Sequence, residues 1–172
     1  AGPLRGLTIL DLTRLYPGPL GTMLMAEMGA DVIKIEDGGH PDFMREAPPF
    51  LGDMSAGHLA VNRSKRSLVL DLESDHGKET FLQLVRKADV VVEGFRPGVL
   101  KKIGLDYERA REANDRIIYV SVTGYGQSGP YAQHAGHDLN YVGYAGILDL
   151  NGSVKDGPQP MGVQIADVAG GA

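Results

Sequence analysis

The sequence predicts an α/β protein with a mostly parallel, doubly wound (Rossmann-like) sheet. Runs of β-branched residues alternate with helical periodicity along the chain, which is the pattern of parallel strands joined by helices. Residues 89–93 contain three consecutive valines, as expected of a strand that is buried on both faces. The hydrophobic content of 42% and charged content of 23% are ordinary for a globular domain.

The first predicted unit is a strand, a helix and a second strand. Residues 7–12 form the first strand, a helical pattern starts at Leu20 and stops at Gly29, and residues 31–36 form the second strand. Such a unit implies two parallel strands with a right-handed crossover. The following segment, residues 37–60, is rich in Gly, Pro and Met and is predicted to be a loop.

The rest of the chain continues the alternation. Ser74 is predicted to cap the helix after the third strand, and Pro97 to begin a short helix that ends near Gly104. Asp138 is predicted to cap a later helix that runs through Leu148. The remaining strands are predicted at residues 67–72, 89–93 and 116–122.

Composition excludes several classes of protein. The net charge of −5 argues against a nucleic-acid partner, and the absence of cysteine excludes disulfides and cysteine-ligated zinc. No apolar run approaches the ~20 residues of a membrane span, so no membrane partner is expected. His134 and His137 are three residues apart but lack an obvious third ligand, so no metal is expected. We expect a cytoplasmic location, or an organellar one in a eukaryote.

Residues 124–129 match the G-x-G-x-x-G pattern of dinucleotide-binding proteins. That fingerprint requires a helix to begin inside the motif, at the first strand–helix turn of the fold. Here Pro130 follows the motif, and the motif comes after the fifth predicted strand. We therefore favour a flexible loop across the end of the sheet over a dinucleotide site.

Positive charge is concentrated at two places in this acidic chain. Arg63, Lys65 and Arg66 precede the third strand, where they form either a solvated turn or a phosphate site. Arg96 follows the fourth strand. Ligands of open α/β sheets gather at the carboxyl ends of strands, so ligand contact by Arg96 is favoured over an ion pair with Glu93.

A histidine and two carboxylates form the last candidate group. Taken singly, His137 is typical of a structural histidine, Asp138 of a helix cap, and Asp167 of a carboxylate favoured by a helix dipole. The two glycines at 170 and 171 change this interpretation, because each costs roughly 1 kcal/mol relative to Ala inside a helix. Either another helix packs closely there, or a substrate lies over the turn.

Together these segments resemble the class III CoA-transferase superfamily, and within it the α-methylacyl-CoA racemase branch. The sequence Gly136-His137-Asp138 and residues 166–171 look like the racemase pattern, and Gly94 stands where many transferases carry Asn. The superfamily landmarks are residues 2–7, 16–19, 29–36, 62–72, 93–98 and 124–130.

The racemase resemblance implies an isomerase that epimerises the α-carbon of a 2-methylacyl-CoA thioester through an enolate. His137 and Asp167 would stand on opposite faces of that carbon and exchange its proton. No metal is implied, and no cofactor beyond the CoA of the substrate. Contacts with CoA or the acyl group are expected from Arg63, Lys65, Arg66, Arg96, Tyr125 and Asp138.

Two alternatives stay open. A class III CoA-transferase would use Asp167 as a nucleophile, forming an acyl anhydride and then a thioester with CoA, and would not require His137. A nucleotide-binding module without catalysis is the third interpretation.

We assign residues 1–172 to one CoA-binding α/β domain. We expect this domain to be the N-terminal part of the large domain of a longer protein, and to be inactive alone. The superfamily resemblance further implies a smaller second domain and an interlocked homodimer in which the active site is shared between subunits.

Overall fold

Five parallel strands form the central sheet of the computed structural model, which describes residues 2–172. Their spatial order is β3-β2-β1-β4-β5, the arrangement of the Rossmann fold. This confirms the predicted α/β class and parallel sheet. The strands are β1 (Thr8–Leu12), β2 (Asp31–Glu36), β3 (Arg66–Val69), β4 (Val90–Glu93) and β5 (Ile118–Ser121).

Helices cover both faces of the sheet. Ser74 caps α3 as predicted, because its Oγ accepts a hydrogen bond from the Gly77 N–H at 3.0 Å. Gly104 ends α4 in a left-handed conformation with φ 74°, also as predicted. The helices are α1 (Pro17–Glu27), α2 (Ala56–Asn62), α3 (Asp75–Val85), α4 (Val99–Ile103), α5 (Tyr107–Ala113), α6 (Asp138–Tyr144) and α7 (Ile165–Gly171).

The core consists of two apolar clusters, one on each face of the sheet. Alternate residues of β1 divide between them, since successive side chains of a strand point to opposite faces. Leu10 packs with Phe81 and Val85 in the larger cluster. Ile9 packs with Val32 in the smaller cluster, against which α1 residues lie. The sheet is therefore packed on both faces close to the point where the chain leaves β1 for α1.

The segment predicted to be a loop, residues 37–60, contains more structure than expected. It holds a short 3₁₀ helix (Phe43–Glu46), a hairpin of Phe50–Leu51 with Met54–Ser55, and most of α2. Ser55 caps α2 by accepting the His58 N–H. These elements are two to seven residues long, too short to leave a clear hydrophobic period.

The predicted cap and length of α6 were wrong. His137 is the residue before the helix, and its N–H donates to Asn140 Oδ1 at 2.9 Å. The helix ends at Tyr144 because Gly146 adopts a left-handed conformation with φ 77°. A 3₁₀ turn at Ile147–Leu150 and a hairpin of Gly152–Ser153 with Gly157–Pro158 follow.

Within residues 2–172, none of the helices has both the length and the apolar character needed to cross a membrane.

Candidate active site

The carboxyl ends of β1 and β4 form the centre of the candidate site. The two strands are neighbours, but their connections continue to opposite halves of the sheet, which is where ligands of open α/β sheets bind. Arg14, just after β1, places its guanidinium carbon 5.2 Å from the ring centre of Phe95, just after β4. A cation thus stands at this crevice, at a position that the sequence interpretation missed.

Asp167 lies in the first turn of α7, and only 8% of its surface is exposed. Asp138 holds the start of that helix: its Oδ1 accepts the N–H groups of Ala166 at 2.7 Å and of Asp167 at 3.2 Å. Asp138 therefore caps α7 from 28 residues away instead of capping its own helix, α6.

The surroundings of Asp167 disfavour its charged form. Burial raises the pKa of this carboxyl, the adjacent Asp138 carboxylate raises it further, and His137 lowers it. The structure thus brings together His137, Asp138 and Asp167, three of the predicted site residues. A carboxylate that is poorly solvated and repelled by a like charge is more basic, and more reactive as a nucleophile, than one in water.

The two glycines of α7 have different surroundings. A Cβ on Gly171 would lie 2.2 Å from the Pro17 carbonyl oxygen, and a Cβ on Gly21 would lie 2.2 Å from the Gly171 carbonyl oxygen. Close packing of α7 against α1 therefore accounts for Gly171. A Cβ on Gly170 would meet nothing within 4 Å, so that side of the helix is open.

A cavity of about 300 Å³ lies beside the start of α7. Val168 and Gln164, which flank the first turn of α7, form one wall, and Tyr16 from the turn after β1 forms another. Met161 and Val163 contribute apolar side chains to a lining that also exposes polar surface. The size of this space fits a small acyl group.

A second cavity of about 300 Å³ opens at the carboxyl ends of β4 and β5. Two cationic side chains, Arg96 and Lys101, border it together with Tyr107 and Tyr119. The lining also contains three carboxylates, those of Glu93, Asp106 and Glu108. The aromatic surface suits a nucleotide base, and the two cations suit its phosphates. Arg96 is exposed, so its guanidinium is accessible to a ligand.

The four cations predicted to bind CoA phosphates are not brought together. Arg66 begins β3 and pairs with Asp31, which begins β2, so this ion pair lies at the amino edge of the sheet. Arg63 pairs with Glu27 at the end of α1. Arg96, by contrast, lies at the carboxyl edge. The positive charges that are close together in the sequence, Arg63 and Arg66, are therefore engaged in ion pairs and do not join Arg96 at the carboxyl edge of the sheet.

Lys65 is buried, with 1% of its side chain exposed. Its ammonium donates at 2.9 Å to Asp11 Oδ2, to the Pro19 carbonyl oxygen and to Asn62 Oδ1. An ammonium has three hydrogen-bond donors, and all three are used here. This arrangement argues against the phosphate contact predicted for Lys65.

Tyr125 belongs to a cluster of aromatic rings in the part of the chain that follows β5. Its ring centre lies 5.2 Å from that of Tyr141 and between 5.8 and 6.3 Å from those of Tyr131, His134 and Tyr144. The glycine-rich segment around it contains bends and turns, and no helix begins inside it. This agrees with the preference for a loop over a dinucleotide fingerprint. In residues 2–172, no three His, Cys, Asp or Glu side chains are grouped as metal ligands.

Most residues that line the two cavities were missed by the sequence interpretation, among them Tyr16, Lys101 and Tyr107. The position of Tyr16, directly after the first strand, could have indicated it, because that turn borders the crevice of every doubly wound sheet. No sequence signal distinguishes Lys101 or Tyr107 from an ordinary helix surface.

Comparison with known proteins gives a consistent result. The sequence pattern of CoA-transferase family III matches residues 4–172. The chain is 42% identical to acetyl-CoA:oxalate CoA-transferase of Acetobacter aceti, over 99% of this chain and 44% of that protein. It is 41% identical to human succinyl-CoA:glutarate CoA-transferase, over 98% of this chain and 39% of that protein. The chain thus spans less than half the length of these relatives.

Structural comparison agrees with the sequence matches. A crystal structure of a CAIB/BAIF family protein from Brucella suis superimposes with a TM-score of 0.91 at 42% identity. The match covers 97% of this chain and 45% of the Brucella chain.

The predicted isomerase activity was wrong. The curated relatives named here are CoA-transferases, not racemases. The prediction depended on Gly94, on Gly136-His137-Asp138 and on residues 166–171, and these few residues do not determine the reaction. An aspartate at the start of α7 serves proton transfer and nucleophilic attack equally well, so residue types alone could not separate the two chemistries.

Proposed function

Because this chain belongs to CoA-transferase family III, we propose that it forms the CoA-binding, nucleophile-bearing part of an enzyme that transfers CoA from an acyl-CoA to a free carboxylate. Asp167 is the proposed nucleophile. The observation that carries the proposal is the poorly solvated Asp167 carboxyl in the first turn of α7, a turn whose flanking residues Gln164 and Val168 line a cavity.

The proposed reaction proceeds through covalent intermediates on Asp167. A carboxylate oxygen of Asp167 attacks the thioester carbonyl carbon, the C–S bond breaks, and CoA thiolate departs. Asp167 and the donor acyl group are then joined in a mixed anhydride. The thiolate then attacks the Asp167 carbonyl carbon, so that the donor acid departs and Asp167 becomes a CoA thioester. The acceptor carboxylate attacks this thioester, which expels CoA thiolate and forms a second mixed anhydride with Asp167. The thiolate then attacks the acyl carbon of the acceptor, so that the new acyl-CoA forms and the Asp167 carboxylate is released.

The neighbours of Asp167 favour this chemistry in two ways. Burial and the Asp138 charge raise the free energy of the carboxylate, which is relieved when attack converts it to a neutral anhydride. The hydrogen bonds that Asp138 accepts from the α7 backbone fix the position of the Asp167 carboxyl group. Asp138 is therefore assigned to orienting the nucleophile, in addition to the substrate contact predicted from sequence.

We place the nucleotide end of CoA in the cavity between Arg96 and Lys101 and the thioester at the cavity beside α7. Tyr125 remains a predicted contact with CoA or the acyl group. For the acids, the relatives are named for oxalate and glutarate as acceptors and for acetyl-CoA and succinyl-CoA as donors. We infer that small mono- and dicarboxylates are the substrates, with no cofactor besides CoA.

The test is a CoA-transfer assay with the protein at its full natural length. Labelled succinyl-CoA or acetyl-CoA is mixed with oxalate or glutarate, and transfer of CoA to the second acid is followed. Asp167→Asn should reduce the rate by about 10³-fold or more, because an amide cannot form the anhydride. Asp149→Asn, an exposed carboxyl on another turn, is the control. Full activity of Asp167→Asn would exclude the proposed role.

A further inference from the structure

Four buried charged side chains form hydrogen bonds with the backbone of the turn between β1 and α1. We call residues 13–19 the β1–α1 segment. Asp11 accepts the Thr13 N–H at 2.9 Å, and Lys34 donates to the Thr13 carbonyl oxygen. Asp42 accepts the Leu15 N–H at 3.1 Å, and Lys65 donates to the Pro19 carbonyl oxygen at 2.9 Å. Four backbone groups of one short segment are thus held by four buried charged side chains.

Lys65 connects the two ends of this arrangement. Its ammonium bonds to Asp11 at the end of β1 and to Pro19 in the first turn of α1. Thr22, one turn further along α1, donates its hydroxyl to the same Asp11 oxygen at 2.7 Å. The Asp11 and Lys34 side chains are almost fully buried, so water cannot replace Lys65 without exposing this network.

The β1–α1 segment in turn supports the helix that carries Asp167. The Gly171 backbone lies against the Pro17 carbonyl, too close for any side chain between them. Tyr16, in the same segment, lines the acyl-sized cavity together with Val168 of α7. A shift of the segment would therefore move both the support of α7 and one wall of that cavity.

We propose that Lys65 is a positioning residue for the nucleophile: it clamps the β1–α1 segment, and through the contact of α1 with α7 it fixes Asp167 against the acyl cavity. This inference rests on the proposed function for its kinetic consequence, but its structural part does not. Lys65 acts from behind the site and touches neither CoA nor the acyl group.

The charge of Lys65 is retained near neutral pH. Burial lowers the pKa of the ammonium to about 8, the carboxylates of Asp11 and Asp42 oppose this shift, and Lys34 adds to it. The clamp is therefore mostly intact at pH 7 and weakens as the pH rises above 8.

The test compares Lys65→Met with Val85→Ala in the full-length protein. Met keeps most of the side-chain volume and removes the three hydrogen bonds. Val85 is fully buried in α3, in the cluster on the other face of the sheet from α1, so its truncation destabilises the fold without touching the β1–α1 segment. Both variants are studied at a temperature where both are folded.

Two readouts separate positioning from loss of stability. Hydrogen exchange of residues 165–171 should become faster in Lys65→Met and stay unchanged in Val85→Ala. In the transfer assay, kcat of Lys65→Met should fall about tenfold to a hundredfold, with KM for acyl-CoA unchanged within about twofold. If Lys65→Met does not fold, Asn62→Ala, which removes one acceptor of Lys65, should give the same pattern at smaller amplitude.

Each result decides the proposal. Unchanged exchange of α7 in a folded Lys65 variant would overturn it, as would an equal fall of kcat in Val85→Ala. A raised KM for acyl-CoA with unchanged kcat in Lys65→Met would overturn it as well, because that result would show that Lys65 contacts the substrate. If the wild-type protein transfers no CoA, the proposed function fails, but the exchange result still decides whether Lys65 positions α7.

Discussion

Asp167 and Asp138 form a pair of carboxyl groups with unequal roles. Asp138 accepts hydrogen bonds from the backbone of α7. The pKa of Asp167 is raised, chiefly by burial and next by the charge of Asp138. The sequence identified both residues, because each is an aspartate near glycine-containing helix starts. It could not reveal that they meet across 28 intervening positions, since that contact depends on how α6 and α7 pack.

Replacing Asp138 by Asn should shift the pH dependence of transfer. The amide oxygen keeps the hydrogen bonds to the α7 backbone, but the negative charge beside Asp167 is lost. The pKa of Asp167 should therefore fall. Because only the deprotonated nucleophile attacks, the rate decreases as the pH falls through that pKa, and this decrease should move to lower pH in Asp138→Asn. Asp149→Asn should leave the profile in place, and a shift of Asp138→Asn to higher pH would contradict the interpretation.

Replacing His137 by Ala should leave CoA transfer nearly intact. In the transferase mechanism no proton has to pass through the imidazole, so we expect kcat within about threefold of wild type. Since His137 lowers the pKa of Asp167, its removal should raise that pKa slightly. The fall of the rate at acidic pH should therefore move to slightly higher pH. Loss of transfer in His137→Ala would show that this side chain takes part in the chemistry.

At the scale of elements, α7 is positioned by its contact with α1. The sequence predicted that something must approach the glycines at 170 and 171, and left open whether it was a helix or a substrate. The structure assigns the helix to Gly171 alone. Patterns of residue type reveal that space is required, but not which neighbour fills it. A different limit explains why α2 was missed, because its seven residues are too few to show a clear hydrophobic period. The strands β1, β2 and β4, with their apolar runs, were found within one residue of each end.

The two glycines of α7 provide a matched pair of variants. Gly171→Ala would place a methyl group 2.2 Å from the Pro17 carbonyl oxygen, so α7 must move, at a cost of about 1–3 kcal/mol. Gly170→Ala meets nothing within 4 Å and should be neutral or stabilise by up to about 1 kcal/mol through helix propensity. Unfolding of the full-length variants in urea measures both. Equal destabilisation by the two substitutions would refute the packing account.

At the scale of the whole molecule, the two edges of the sheet have different uses. The carboxyl edge holds both cavities, Arg14 and Arg96, whereas the amino edge holds the exposed ion pair of Arg66 with Asp31. The sequence predicted the sheet and its direction from strand–helix alternation alone. It assigned Arg66 to the site because charge along a sequence does not reveal at which edge of a sheet each residue lies. The interlocked homodimer stays a prediction.

Arg96 and Arg66 test this difference between the edges. Arg96→Ala should weaken CoA binding roughly tenfold to a hundredfold, the range expected when a charged hydrogen bond to phosphate is lost. Arg66→Ala removes an equal charge from the amino edge and should leave the affinity unchanged. Calorimetric titration of the full-length protein with CoA measures both. Equal effects would mean that long-range charge, and not contact, controls binding.

The most direct measurement of the central claim is to trap the covalent intermediate on Asp167. Full-length protein is incubated with acyl-CoA and hydroxylamine, digested, and the peptide that contains Asp167 is sequenced by mass spectrometry. Hydroxylamine attacks an activated aspartyl carbonyl and leaves a hydroxamate. The account predicts a hydroxamate at Asp167 that requires acyl-CoA and is absent from Asp167→Asn. Active transfer of CoA with no modification at Asp167 would contradict it.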